Sequence, residues 1–486
     1  MMADAIDTSC MHVRTTDMHV LEKLNIHTHT ISMLKKGPNF RPNFSHTHAE
    51  HHIEKQYSCM EEAIHNLLAC TSLPLTEKIE KMKTAQKMLT LQKRMCKRHI
   101  RNSSHEYTDE KTLVDDIEKI TRHFTLTVVD KAANNYALIC TTYVSQCIHQ
   151  RLHATHEIQP LPTLMQNPQT ILQHLQHMII DTLDNRHHVI HHTDTTAISG
   201  YMLTPKIIKL LKSSTTTEEK RSIKMWRCIT TAHNAPSAIL GSVLNKIANT
   251  VKVPFMDHYE MKSKKYFQTT GIEIRFYYRT DAAQAVICDW HDKCIYNMVK
   301  GDYSRMFETI PHSGVIEAVL WKFDLALKQT NSKYLCIDSH TGTHRWTRRR
   351  SSYGPTSKLY CIDRNTYENF ITTHLNTAVM MYDNVIYKQY HGVPQGAKSS
   401  KTDSEDYIDH KLYKFTKMLM QTHRHDDIKQ LRYLYFVADD LCAANCPSMP
   451  LLLHELSPTD AHGNHYLELK IENECPLLSR NTRAWM

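Results

Sequence analysis

From Leu431 to Cys442 the chain reads LRYLYFVADDLC, an apolar run of Tyr, Leu, Phe and Val that ends on two adjacent aspartates, Asp439 and Asp440. Aromatic and β-branched residues in a run of this length predict a buried strand. Two carboxylates side by side at its tip repel each other unless a cation lies between them. This strand therefore has to deliver its acids to a cation or to solvent. Asp115-Asp116 and Asp426-Asp427 are also acid pairs; they read as solvated helix faces or caps, where most adjacent acids are found.

Two upstream stretches add to the pattern. In Met298–Pro311, MVKGDYSRMFETIP, Asp302 ends an apolar stretch (Ile295, Tyr296, Met298, Val299) and Pro311 suits a helix start. Ile316, Leu320, Phe323 and Leu327 then recur at helical spacing and predict one buried face. In Tyr390–Ser400, YHGVPQGAKSS, Gly392 and Gly396 flank Gln395. Only 11 of 486 residues are glycine, far below the usual share of about 7 %. Two within five residues point to a close approach of backbone to a ligand. Ile408, Leu412, Phe415 and Leu419 mark a second helix face.

An acid at a strand end, a Gln-Gly loop before a helix and an acid pair on a later strand together resemble motifs A, B and C of a reverse transcriptase palm. GVPQG and DYSRMFETIP are most similar to Penelope-like retroelement reverse transcriptases and to telomerase catalytic subunits. LTPKIIK at 203–209 and WRCITTAHNAP at 226–236 resemble that group's finger motifs, and Phe124–Tyr143 resembles the Asp-Lys segment that precedes them. The resemblance runs from about Phe124 to Leu469. It implies an α+β right-hand polymerase fold with fingers and a ferredoxin-like antiparallel palm sheet. The expected division is a His-rich, basic, largely helical extension (1–105), a pre-fingers region (106–200), fingers and palm (201–475) and a short tail (476–486). YLELKIENECP resembles the end of a palm, which leaves no room for a thumb, so a second chain would have to supply that grip.

What the resemblance implies for function is RNA-directed DNA polymerisation, with an RNA template, a DNA primer and dNTPs. Asp302, Asp439 and Asp440 would hold two Mg²⁺ ions, with Mn²⁺ able to substitute. Arg227 would take the incoming triphosphate, because a guanidinium fork fits phosphate oxygens, with Trp226 anchoring its strand and Lys206 as a second cation. Phe307, five residues beyond Asp302, would close on the ribose 2′ carbon, with Gln395 and Gly396 beside the nucleotide. Viral-type RNA-dependent RNA polymerases tend to carry a second acid at the Phe307 position, a glycine where Ala438 stands, and no Gln-Gly loop. A truncated remnant that binds nucleic acid without polymerising is the other alternative. This chain departs from the family at Ile208, where His is usual, and at Val437, where an aromatic is usual and Phe436 stands one place earlier.

Nucleic-acid contacts are expected at Lys131, in the turn of a hairpin formed by LTVV and YALIC, and at Arg345, Arg348, Arg349 and Arg350, which interleave with Trp346 and Tyr353. The bland readings are an ordinary turn lysine, a solvated charged loop and, for Phe307, a core aromatic. From Glu77 to Arg101 nine Lys and Arg residues among Met82, Met88, Leu89 and Met95 make a basic amphipathic helix, suited to an RNA backbone or to solvent.

A formal charge of +9 tilts the chain modestly toward polyanionic partners. MMADAIDTSC has acids and no apolar core, unlike a secretory signal, and no run approaches the eighteen or so apolar residues that span a bilayer. The 14 cysteines are scattered, as in an intracellular, reducing compartment, the nucleus if the host is eukaryotic. CDWHDKC and Cys442 with Cys446 lack the paired spacing of zinc sites. The 35 histidines cluster at 27–29, 46–52 and 187–192, within an excess that runs through the whole chain.

Overall fold

Long helices come first, as the polar, Lys-rich pattern before residue 105 predicts. The computed structural model describes residues 24–36, 46–69, 74–102, 110–129, 132–153, 157–183, 197–205, 226–231, 235–276, 297–304, 306–338, 343–350, 359–394, 396–437, 440–446, 457 and 468–476. Lys131, Lys206, Gln395 and Asp439 lie outside the described residues. The chain forms two compact units, 1–150 with 203–227, and 151–202 with 228–486.

In the first unit α1 (Thr28–Lys35), α2 (His46–Ala69), α3 (Leu75–Asn102) and α4 (Glu110–Thr121) precede a hairpin of β1 (Phe124–Val129) and β2 (Ala132–Cys140), and α5 (Thr141–His153) follows. Glu54 pairs with Lys93 and Lys97, and Glu61 accepts from Gln86 at 2.6 Å, so α2 and α3 run antiparallel. Two lysines of the basic helix are thus engaged by a glutamate of this same chain. The hairpin has the expected strands, but β2 already starts at Ala132, so AANN belongs to the strand and not to the turn.

Asp116 corrects the reading of its pair as solvated. It is 1 % exposed and accepts from the His27 amide at 2.9 Å and the Thr30 hydroxyl at 2.8 Å, with Lys119 at 3.1 Å. Burial opposes its charge, yet those donors hold its carboxyl below the usual range. Asp426 and Asp427 do open a helix, α12 below.

The second unit contains β3 (Ile158–Pro160), α6 (Pro168–Thr182), α7 (Ser237–Thr270), β6 (Asn297–Ser304), α8 (Met306–Thr309) and α9 (His312–Gln329), while β4 (Ser199–Pro205) and β5 (Trp226–Thr231) each cross the boundary between the two units. There follow β7 (Tyr334–Asp338), β8 (His344–Thr347), β9 (Leu359–Ile362), α10 (Arg364–Asn376), β10 (Val379–Tyr382), β11 (Val385–Gln389), α11 (Ser400–Gln421), α12 (His425–Gln430), β12 (Leu434–Val437), β13 (Asp440–Ala444) and β14 (Glu468–Pro476). Three sheets result, ordered β3-β11-β10-β4-β5, β8-β7-β9 and β12-β13-β6-β14, the last antiparallel throughout. Separate helices and mainly antiparallel sheets, β10 with β4 being the parallel pair, make this an α+β unit. Among the described residues no helix is long and apolar enough to cross a membrane.

The main core fills the space between α7, α9, α11 and the inner face of the β6 sheet. Ile408, Leu412, Phe415 and Leu419 are all buried, as their spacing predicts. On α9 the buried residues are Val315, Ala318, Val319, Leu320, Lys322, Phe323 and Ala326, while Ile316 and Leu327 are only half-buried. The helix packs against α7, α10 and α11 at once, which widens its buried face. The expected strand from Leu431 starts only at Leu434, because Leu431–Tyr433 forms a 3₁₀ turn.

Candidate active site

Along β6 the side chains alternate. Val299, Gly301 and Tyr303 are buried on the core side, whereas Lys300 is exposed and Asp302 half-buried on the other. On β13, Leu441 and Ala443 are buried and Asp440 is half-exposed. The two strands pair antiparallel with Asp440 directly opposite Asp302. Residues so paired project from the same face, so both carboxylates stand on the face turned away from the core. Like charges directly opposite destabilise a ladder, and this pair therefore favours a cation. Lys300 meets part of that demand, its Nζ 3.7 Å from Asp440 Oδ1. Two reachable carboxylates also suit a hard divalent cation. Among the described residues no group of three or more His, Cys, Asp or Glu gathers around a metal position.

The same alternation decides the fate of Phe436. It is 0 % exposed and stacks on Tyr303 with centroids 5.9 Å apart, so it belongs to the core and not to the acid-bearing face. That face carries Tyr435 instead, whose ring lies 4.4 Å from the Arg275 guanidinium and whose hydroxyl accepts from Arg275 at 2.9 Å. Val437 is the backbone partner of Asp440.

The turn after β6 docks on the glycine-bearing loop. Gly392 N–H donates to Ile310 O at 2.6 Å, Val393 N–H to Phe307 O at 2.8 Å, and His312 Nε2 to Gly392 O at 2.8 Å. Pro311 bridges His391. Gly392 has φ +77°, and a Cβ there would collide with the Phe307 carbonyl; Gly396 has φ +127°, and a Cβ there would collide with the Thr230 carbonyl. Both glycines thus let the loop pack closely against the chain's own backbone. Phe307 is half-buried against the main core at this junction.

The arginines expected to touch nucleic acid lie elsewhere. Arg345 is exposed on β8, and Arg348, Arg349 and Arg350 are exposed just beyond it, in the three-stranded sheet rather than the one that carries Asp302. Arg348 Nε donates to Asn331 O at 2.9 Å. Trp346 is half-buried, 6.4 Å from Phe323. In the first unit, Trp226 is buried with its ring 5.8 Å from Tyr143, and Arg227 beside it is half-exposed.

Several groups near the loop and its helix have no counterpart among the expected site residues. Arg151 pairs with Glu308, and Lys322 with Asp406. Asp403, Asp406 and Asp409 are 3, 2 and 4 % exposed on α11. Burial pushes Asp403 up to about 8 and Asp406 up to about 6, Lys322 pulling the latter back. The one signal for this cluster was acids spaced by three on a helix whose apolar face was already evident.

No family model and no curated protein matches the chain. Among solved structures it is similar to telomerase from Candida albicans in complex with a TWJ fragment of telomeric RNA, at 10% identity and a TM-score of 0.44, covering 84% of this chain and 55% of that one. Apo telomerase from Candida tropicalis is similar at 11% identity and a TM-score of 0.43, covering 96% of this chain and 71% of that one. The chain therefore spans about half the length of the first.

Proposed function

We propose that the chain is an RNA-directed DNA polymerase that extends a DNA primer on an RNA template with dNTPs. The observation that carries this reading is the pairing of Asp302 with Asp440 on the open face of a four-stranded antiparallel sheet, next to a turn that presents Phe307. Asp302, Asp440 and the adjacent Asp439 would hold Mg²⁺. Bound there, the ions would stabilise the attacking and leaving oxygens of in-line phosphoryl displacement. Asp302 and Asp440 supply negative charge at a fixed separation, since both project from rigid strands and not from loops. The Phe307 ring, five residues beyond Asp302, would stand where a ribose 2′ hydroxyl would have to fit, which favours deoxynucleotides.

Primer extension on an RNA template with dNTPs and Mg²⁺ tests the proposal. Product from the wild type and none from Asp302→Asn or Asp440→Asn is the expected result. Absence of product from the wild type would leave a nucleic-acid-binding remnant, and preference for rNTPs would favour an RNA polymerase.

A further inference from the structure

Phe307 sits on a single helical turn, Met306–Thr309, too short to hold its own position, because one turn fixes several dihedrals for few hydrogen bonds. What holds it comes from outside. On one side the loop at 391–393 grips the turn and the start of α9 through three hydrogen bonds and a β-bridge: Val393 N–H to the Phe307 carbonyl, Gly392 N–H to the Ile310 carbonyl, His312 Nε2 to the Gly392 carbonyl, and Pro311 with His391. On the other side Glu308, the residue after Phe307, pairs with Arg151, which is 6 % exposed at the end of α5. Phe307 is thus braced at its own carbonyl and through the side chain of its neighbour.

We propose that His312 and the Arg151–Glu308 pair are positioning residues which set how far Phe307 reaches toward the incoming sugar, so that discrimination against ribonucleotides depends on this brace as well as on the ring. The proposal rests on the reading of Phe307 as the group that meets the sugar. Two properties of His312 suit the role. Its partner is a carbonyl, so the proton must reside on Nε2. Burial also keeps the ring neutral by pushing its pKa down to about 4, with the Gly392 contact opposing. The hydrogen bond therefore keeps one form across the physiological range.

The full chain carrying His312→Ala is compared with wild type and with His312→Gln, whose amide keeps a donor of similar reach. Two readouts are taken: the ratio of ribo- to deoxynucleotide incorporation, and amide hydrogen exchange of the segment holding Gly392 and Val393. His312→Ala should raise the ratio roughly tenfold, since small displacements of a positioning group cost one to two orders of magnitude. It should also speed exchange at those amides, and His312→Gln should restore both. Faster exchange with an unchanged ratio in a chain that does extend primers overturns this inference alone. No extension by the wild type overturns the polymerase reading and this inference with it. Should His312→Ala fail to fold, Arg151→Met combined with Glu308→Met removes the brace from the other side without stranding a charge. The same rise in ratio is expected there, and a wild-type ratio would overturn the proposal.

Discussion

Asp302 and Asp440 stand on the open face of the β6 sheet, whereas Asp403, Asp406 and Asp409 are enclosed on α11, two sets of carboxylates in one unit with opposite surroundings. The Asp440 side chain is 50% exposed, and the acids of α11 are nearly inaccessible. Strand register produced the first set, because residues opposite each other on a ladder must share a face. Helix packing produced the second, because spacing by three keeps Asp403, Asp406 and Asp409 near the apolar stripe that α11 buries. The first set is reached by water and by the exposed Lys300. A buried set must be neutralised in place: Lys322 pairs with Asp406 and lies 4.9 Å from the Phe255 ring, while Asp403 is held toward its protonated form.

The contrast is sharpest in Asp302→Asn. On the polymerase reading, extension should fall by roughly 10³-fold or more, as for other residues that contact reacting groups. Stability should change by less than about 1 kcal/mol, because Asp302 lies opposite a like charge, Asp440, on one side and opposite Lys470 on the other. A large loss of stability, read by denaturant unfolding, would contradict the placement of this acid on an open face. Lys322→Met is the counterpart inside α11. It strands a buried carboxylate and should cost about 3–5 kcal/mol. Adding Asp406→Leu should recover most of that loss, and no recovery in the double variant would show that the pair does more than neutralise itself.

A smaller effect separates the two sets by pH. The Asp403 carboxyl titrates near 8 in the folded chain and near about 3.9 when unfolded. Its contribution to stability is therefore complete below about pH 4 and is lost as pH rises through about 8. His374, pushed down to about 4 by burial and then by His312, behaves in the opposite sense. Its contribution is present above about pH 6.5 and is lost as pH falls through about 4. Unfolding midpoints of Asp403→Asn should accordingly decline less between pH 5 and 9 than those of the wild type; parallel profiles would refute the assignment. Lys300→Ala should have the least effect, about 0–1 kcal/mol, since its pair with Asp440 is half-exposed and screened by salt.

Much of the fold was legible where a local pattern carried it. The β1–β2 hairpin, the buried stripe of α11 and the strand that precedes the acid pair follow from alternation and helical spacing, which depend only on residues close in the chain. The buried stripe of α9 is wider than its spacing shows, since three partner helices decide which further residues are covered. Asp116 was misread for a similar reason: its donors His27 and Thr30 lie more than eighty residues away. The glycine pair signals a tight backbone approach, but Phe307 and Thr230, which it meets, are invisible until the loop is packed.

The sequence alone determined which residue types were available and their local geometry: acids within or beside strand-forming runs, an aromatic five residues past Asp302, and glycines where a positive φ is required. The strand itself, β6, runs two residues past Asp302. Only the tertiary structure decided that Asp440 would register with Asp302, 138 residues earlier, that Phe436 would turn into the core and Tyr435 out of it, and that Arg151 and His312 would brace the turn carrying Phe307. The reason is that a one-residue slip in pairing exchanges the faces of a strand, and what prevents the slip is burial by elements far away in the chain.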